Sequence, residues 1–309
     1  MPPSSRARSP RRAQADGRER TVASSSEGRS TKSYVPWLLL LPGLAWLVIF
    51  FVIPLFSLGR ASLKPSVVSG TVVKHVKGLG NFTQVFSDNS TVIVRTFFFA
   101  GAATVLALLI GYPLAYYIAM RGGRYKNLLL ALVVLPFFTT YLIRTLSWKI
   151  LLFGEGPVAH ILRSLGLLSK NGEILNTDAA VIGALVYNFL PFMVLPIYVS
   201  LEKVDRRLLE AAPDLYAGGW RTFRKVTLPL SIPGVFAGSL LTFIPACGDF
   251  VNAELLGGSS QTMIGNIIEA NFGKEALRPG ISALSFVLMA AILIGVLIYA
   301  RVLGTEDLV

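Results

Sequence analysis

Between residues 35 and 302 the chain carries six apolar runs, and at about 1.5 Å per residue each run of roughly twenty residues crosses about 30 Å of hydrocarbon as a helix. The runs are Val35 to Leu58, Thr96 to Met120, Leu128 to Leu146, Ala179 to Leu201, Leu230 to Phe250 and Ala283 to Val302. None alternates with the period of two that a lipid-facing barrel strand needs, so helices are left as the spanning element. Composition agrees: 53% of residues are hydrophobic and only 15% are charged, well below the charge content of a soluble domain. Pro113, Pro191, Pro245, Gly101 and Gly248 lie within or at the ends of these runs. Membrane helices tolerate such residues where neighbours satisfy the freed backbone groups. The expected fold is an all-α integral membrane protein with six transmembrane helices.

Lys and Arg number 29 against 17 Asp and Glu, a net charge of +12. In a soluble protein that excess would point to nucleic acid; here its placement assigns it to topology. Residues 1–34, rich in Arg, Ser, Pro and Gln and without an aromatic before Tyr34, form an expected disordered basic tail. Arg121, Arg124 and Lys126 fill the short second connection, and Lys203, Arg206, Arg207, Arg221, Arg224 and Lys225 fill the fourth. The intervening connections, 59–95, 147–178 and 251–282, are longer and sparser in basic residues. Both termini are therefore expected in the cytoplasm, with 59–95 an external loop, and no nucleic-acid partner is expected. The run at 35–58 lies too far from the N-terminus and ends too poorly for a cleaved signal peptide, so it reads as the first transmembrane helix.

The single cysteine, Cys247, allows no intramolecular disulfide, and the two histidines, His75 and His160, are far apart in sequence. No G-x-x-x-x-G-K-[ST], H-E-x-x-H or G-x-S-x-G occurs, so the chain holds neither a phosphate-cradling loop nor visible hydrolytic machinery. No metal or cofactor is expected on this chain. A secondary transporter would call for ionisable residues in several spans, whereas only Asp249 lies plainly at one; that class is the weaker alternative.

The most informative stretch is 202–229, a cytoplasmic connection that reads as helix, turn, helix. Leu208, Leu209, Ala212 and Leu215 fall at helical spacing, Gly218 and Gly219 interrupt, and Trp220, Phe223 and Val226 resume. From periodicity alone it is either an amphipathic connector on lipid headgroups or a surface for docking a partner. Ala211 and Ala212 permit close backbone approach, and Glu210 offers a carboxylate to donors on a partner. Pro229 suits the first turn of the next spanning helix, where no N–H is needed.

Glu210-Ala211-Ala212, Asp214-Leu215, Ala217, Thr222-Phe223, Val226-Thr227-Leu228-Pro229 and Ile232-Pro233-Gly234 resemble the EAA loop of permease subunits in binding-protein-dependent ABC importers. Tyr216 stands where that family usually has glycine. Thr140-Tyr141-Leu142-Ile143-Arg144 with Trp148, Phe243-Ile244-Pro245, Gly248-Asp249-Phe250-Val251, Leu255-Leu256-Gly257-Gly258 and Met263-Ile264-Gly265-Asn266 are similar to its spermidine/putrescine branch. The likeness runs from about residue 36 to 303. It implies a type I importer permease fold, a core domain over 96–303 and a coupling helix within 202–229, in the inner membrane of a prokaryote. It further implies a second permease subunit, two ATPase subunits that use ATP and Mg, and an extracytoplasmic substrate-binding protein. Glu210, Ala211, Ala212, Asp214, Leu215, Gly218, Leu228 and Pro229 are then the ATPase-coupling residues.

Asp249, beside Pro245 and Gly248 where the fifth helix is expected to break, is the leading pathway residue. A carboxylate at membrane depth costs about 2.5 to 3.5 kcal/mol and so calls for a partner or a wet cavity, which a cationic solute would supply. Capping of a short helix starting near Asn252 is the equal alternative. Glu254, in the following outer loop, is a weaker pathway residue. Tyr141, Trp148 and Tyr187 could stack on an amine or belong to the interfacial aromatic belt. Arg144 reads as a snorkelling interfacial residue or as half of an ion pair that locks helices.

Overall fold

The computed structural model describes residues 35–64, 78–154, 156–166, 169, 172–205, 207–210, 218–274 and 278–302. It falls into two units, divided after Ile53. In the first, α1 (Val35–Leu47) runs into a π-helical turn, Val48–Val52, closed by the Ile53 N–H donating to the Val48 carbonyl. The wider i→i+5 turn lies just ahead of Pro54, which has no N–H to continue the ordinary ladder. Side chains on every side of this stretch are exposed, Trp46, Phe50 and Phe51 among them, as suits a helix whose surroundings are lipid or another chain.

The second unit opens with α2 (Ile53–Ser62) and α3 (Gly80–Arg121). α3 has 42 residues, about 63 Å at helical rise, so it projects well beyond the hydrocarbon. The stretch expected as external loop over 59–95 is therefore already helical from Gly80. Its apolar run begins later, and periodicity within the polar first turns is too weak to reveal them. The side chain of Asn81 fixes the start, its Nδ2 donating to the carbonyls of Ser62 (2.7 Å) and Lys64 (2.8 Å).

The core of the second unit is a three-helix contact of α3, α7 (Asp178–Glu202) and α8 (Leu228–Cys247), with α11 (Arg278–Val302) packed on α3. Small residues make it close. Ala100, Ala103, Ala107, Gly111 and Ala115 form a buried stripe along α3 at spacings of three and four. On α8, Gly234 and Gly238 face α7 so tightly that a Cβ on Gly234 would stand 2.6 Å from the Pro196 carbonyl oxygen, and one on Gly238 2.9 Å from that of Met193. Dispersion between closely apposed backbones is the main attraction available where lipid is as apolar as the side chains.

Between α3 and α7 the chain departs from a straight span. α4 (Lys126–Val134) tightens into a 3-10 turn, Leu135–Phe138, and α5 (Tyr141–Leu152) starts after two extended residues, Thr139 and Thr140, with a bend of 94°. Pro136 removes one ladder donor while Leu135 stays helical, and the chain leaves the helix at Thr139 and Thr140, so the run read as one helix over 128–146 is a broken pair. Among the described residues five continuous helices are long and apolar enough to cross a membrane, and there are six if this bent pair is one span. α6 (Pro157–Ser164) follows.

α8 ends at Cys247, and the chain turns through Gly248 and Asp249 into α9 (Val251–Leu256). α10 (Ile264–Ala270) lies beyond a single 3-10 turn. This connection is tied back by Gln261 Nε2 donating to Asp178 Oδ1 (2.8 Å) and by the Ile264 N–H donating to Thr96 Oγ1 (2.9 Å). Its hold on α7 and α3 keeps α9 at a fixed position beside α5.

Candidate functional site: a buried polar knot and the coupling segment

Asp249, at the break between α8 and α9, is 8% exposed. Its Oδ1 accepts from the Asn252 N–H at 2.8 Å, so it caps α9. Its Oδ2 accepts from the Tyr141 hydroxyl of α5 and, at 3.3 Å, from Asn252 Nδ2. Asn252 has no exposed surface and is the hub of the knot. Its Nδ2 donates also to the Tyr141 hydroxyl (2.6 Å), and its Oδ1 accepts from Asn188 Nδ2 of α7 (3.0 Å) and Thr145 Oγ1 of α5 (3.2 Å). One amide thus joins α5, α7 and α9. Gly265 lets α10 close over this point, since a Cβ there would stand 3.0 Å from the carbonyl oxygens of both Gly248 and Asp249.

The capping and pathway readings of Asp249 do not exclude one another: the cap uses one carboxylate oxygen, while the other is held by a phenol and an amide. Among the described residues no basic side chain pairs with Asp249, so its charge is met by neutral donors.

Arg144 lies over the Tyr141 ring. It is 8% exposed, so it does not snorkel. Its guanidinium carbon stands 5.0 Å from the ring centroid of Phe137, 5.5 Å from Tyr141 and 5.9 Å from Tyr187. Nη1 donates at 3.0 Å to the Pro136 carbonyl, which also accepts from the Thr139 N–H at 3.2 Å. Nε is buried without a partner, and among the described residues no carboxylate lies within ion-pair distance. Three cation–π contacts at about 0.5 to 2 kcal/mol each compensate part of the cost of burying that charge. The recess in front of it, about 440 Å³, is lined by Thr139, Thr140, Tyr141, Arg144, Asn188 and four phenylalanines. Trp148 packs edge-on against Tyr187 at 5.3 Å, joining α5 to α7.

Glu254, on α9, is exposed and accepts from Asn266 Nδ2 at 3.2 Å, apart from the knot. The structure therefore brings together Asp249, Tyr141 and, through aromatic contacts, Tyr187 and Trp148. It adds Asn252, Asn188 and Thr145, which sequence reasoning passed over. Asn188 had a signal, a polar amide in the middle of an apolar run.

On the other side of the molecule Lys126 Nζ meets Glu202 Oε1 at 2.5 Å and stands 5.2 Å from the Tyr198 ring centroid, tying the start of α4 to the end of α7. Beyond Glu202, Glu210 is the last described residue of a helical stretch, with its side chain exposed. Ala211, Ala212, Asp214 and Leu215 lie outside the described residues. The chain re-enters at Gly218, which caps a single turn, Gly219–Thr222; a π turn, Phe223–Thr227, then leads into α8. Pro229 sits in the first turn of α8 as expected, while the helical run itself starts ten residues earlier. The π turn accommodates it, with the Leu228 N–H donating to the Phe223 carbonyl. Trp220 is 74% exposed and stacks on Phe223, whose ring meets Tyr112 and Tyr116 of α3 edge-on at 5.8 Å each. An exposed aromatic is thereby linked rigidly to the core.

Residues 107–304 match the family described as binding-protein-dependent transport system inner membrane component, and the chain belongs to that family. It is 40% identical over 258 residues to the spermidine/putrescine transport system permease protein PotB of Haemophilus influenzae, covering 83% of this chain and 90% of that protein. Against PotB of Escherichia coli the identity is 38%, covering 83% and 93%. The fold is shared with a bacterial ABC transporter involved in the import of the acidic polysaccharide alginate: TM-score 0.71 at 18% identity, over 87% of this chain and 95% of that one. The chain is a multi-pass inner-membrane permease component of an ABC importer.

Proposed function

We propose that this chain forms half of the pathway by which a small polycation of the spermidine or putrescine class enters the cell, driven by ATP hydrolysis on separate subunits. The observation that carries the reading is the likeness to the two PotB permeases over 83% of this chain, at 38–40% identity. A buried carboxylate at a helix break, beside tyrosine and tryptophan rings, supports it: these are the groups that attract ammonium ions and alkyl chains. A second permease subunit completes the pathway, an extracytoplasmic binding protein delivers the solute, and two ATPase subunits bind ATP and Mg. Both termini face the cytoplasm.

Glu210, Ala211, Ala212, Asp214, Leu215, Gly218, Leu228 and Pro229 carry the docking loop for the ATPase. Closure of the ATPase pair pulls on this loop, and the Trp220–Phe223–Tyr112 stack passes the displacement to α3. In the pathway, Asp249 receives an ammonium group in place of the Tyr141 hydroxyl, with Tyr187 and Trp148 flanking the alkyl chain. Glu254 stands on the outer approach. ATP hydrolysis is left to the partner, and this chain binds no cofactor.

The test is Asp249→Asn in the assembled importer. The amide keeps an oxygen for the Asn252 cap and removes the charge, so uptake of radiolabelled spermidine should fall at least tenfold while basal ATPase activity persists. Unchanged spermidine uptake would exclude Asp249 from the pathway.

A further inference from the structure

Arg144 is a buried cation that no acidic side chain among the described residues neutralises. Its Nε has no partner, and its other contacts are a carbonyl and three rings, none of which carries negative charge. Asp249, at the Tyr141 hydroxyl, is occupied by Tyr141 and Asn252. A second unmet group, the buried Asn188 Oδ1, belongs to a residue that lines the same recess. The recess is open to the outside of the chain, and its rim is apolar and exposed, Phe138 at 87%. Buried charges are paired as a rule, and one left unpaired on an open recess is waiting for its counter-ion from another molecule.

The depth of the recess selects the source. Lys126 and Glu202, an exposed ion pair, mark one membrane face. From Lys126 to Thr139 the chain climbs about 20 Å by helical rise, short of the roughly 30 Å that a hydrocarbon layer spans, so the recess at Thr139 lies within the layer and not at its far edge. A lipid phosphate belongs at the edge, not at that depth. A carboxylate carried on a neighbouring spanning helix reaches it directly, and the apolar rim suits such a helix.

We infer that Arg144 is the receptor for an aspartate or glutamate of the second membrane subunit, forming a charged contact between subunits in the recess bounded by Phe137, Thr140 and Asn188. The incoming carboxylate meets the guanidinium where Arg144 lines the recess, beside Asn188. The pairing also removes a positive charge that would otherwise repel a polycation near Asp249. This inference rests on the reading that the chain works beside a second permease.

The experiment uses the complete importer expressed with its native partner chains. Arg144→Gln should lower recovery of the second permease with the tagged chain at least tenfold, and Arg144→Lys should restore most of it. Independently, a photoreactive benzoylphenylalanine at the exposed Thr139, with Arg144 intact, should crosslink to the second permease at a peptide holding Asp or Glu within one helical turn of the adduct. Full recovery with Arg144→Gln, or adducts to lipid alone or to a peptide without an acid, would overturn the inference while leaving the proposed function standing. If the unaltered chain recovers no second permease at all, it is the proposed function that fails.

Discussion

Replacing Gly234 by alanine should loosen the contact of α7 with α8, and the size of the effect follows from the geometry. The added Cβ would stand 2.6 Å from the Pro196 carbonyl oxygen and 2.6 Å from Ser200 Oγ. The serine hydroxyl can rotate away; Ser200 Cβ, at 2.7 Å, and the carbonyl are fixed to the backbone of a packed helix and cannot, so α7 and α8 must separate. Gly101→Ala on α3 is the matched control, because nothing lies within 4 Å of a Cβ there. Both substitutions bring the same gain in helix propensity, up to about 1 kcal/mol, which cancels when the two are compared. What remains is overpacking, about 1 to 3 kcal/mol, or roughly a 5- to 150-fold difference in the folding equilibrium. The one cysteine supplies the assay: Cys247 is fully buried near the end of α8, so thermal exposure to a fluorogenic maleimide in detergent reports opening of this core. Gly234→Ala should label at distinctly lower temperature than Gly101→Ala. Equal labelling profiles would refute the claim that glycine is required by close backbone approach.

Two further outcomes test coupling and topology. Glu210→Ala and Trp220→Ala should each insert normally yet capture less ATPase subunit, because exposed anchors in a docking surface carry much of its affinity; normal pull-down by both would detach the loop from that role. Reporter fusions near residues 30, 123 and 217 should read as cytoplasmic and those near 75, 165 and 270 as external, and a cytoplasmic signal at 270 would break the six-span arrangement.

The spans were legible because hydrocarbon imposes length and apolarity, and both are visible in a string of letters. What hydropathy cannot register is a helix that continues past the apolar region, as α3 does from Gly80, or one that breaks inside it, as α4 and α5 do. Pro136 was the visible cause of that break, but prolines at 113, 191 and 196 sit within continuous helices, so proline alone does not locate a bend. At the candidate site, Asp249, Tyr141, Trp148 and Tyr187 stood out by residue type or resemblance. Asn252, Asn188 and Thr145 did not, because their importance lies in convergence from three helices that are distant in sequence. Arg144 was read against the membrane edge; its burial depends on the bend that brings Phe137 and Tyr141 around it. The coupling loop was legible as a motif, although its central residues, 211 to 217, lie outside what the structure describes.

The central claim is that this chain conducts a polyamine when ATP is hydrolysed beneath it. Its most direct test is uptake of radiolabelled spermidine into proteoliposomes that contain the chain, its second permease and its ATPase, with the cognate binding protein outside and ATP inside. Saturable accumulation that requires ATP and the binding protein, and that unlabelled putrescine inhibits, is the predicted result. A fully assembled importer that hydrolyses ATP in response to its binding protein, yet accumulates no spermidine or putrescine, would contradict it.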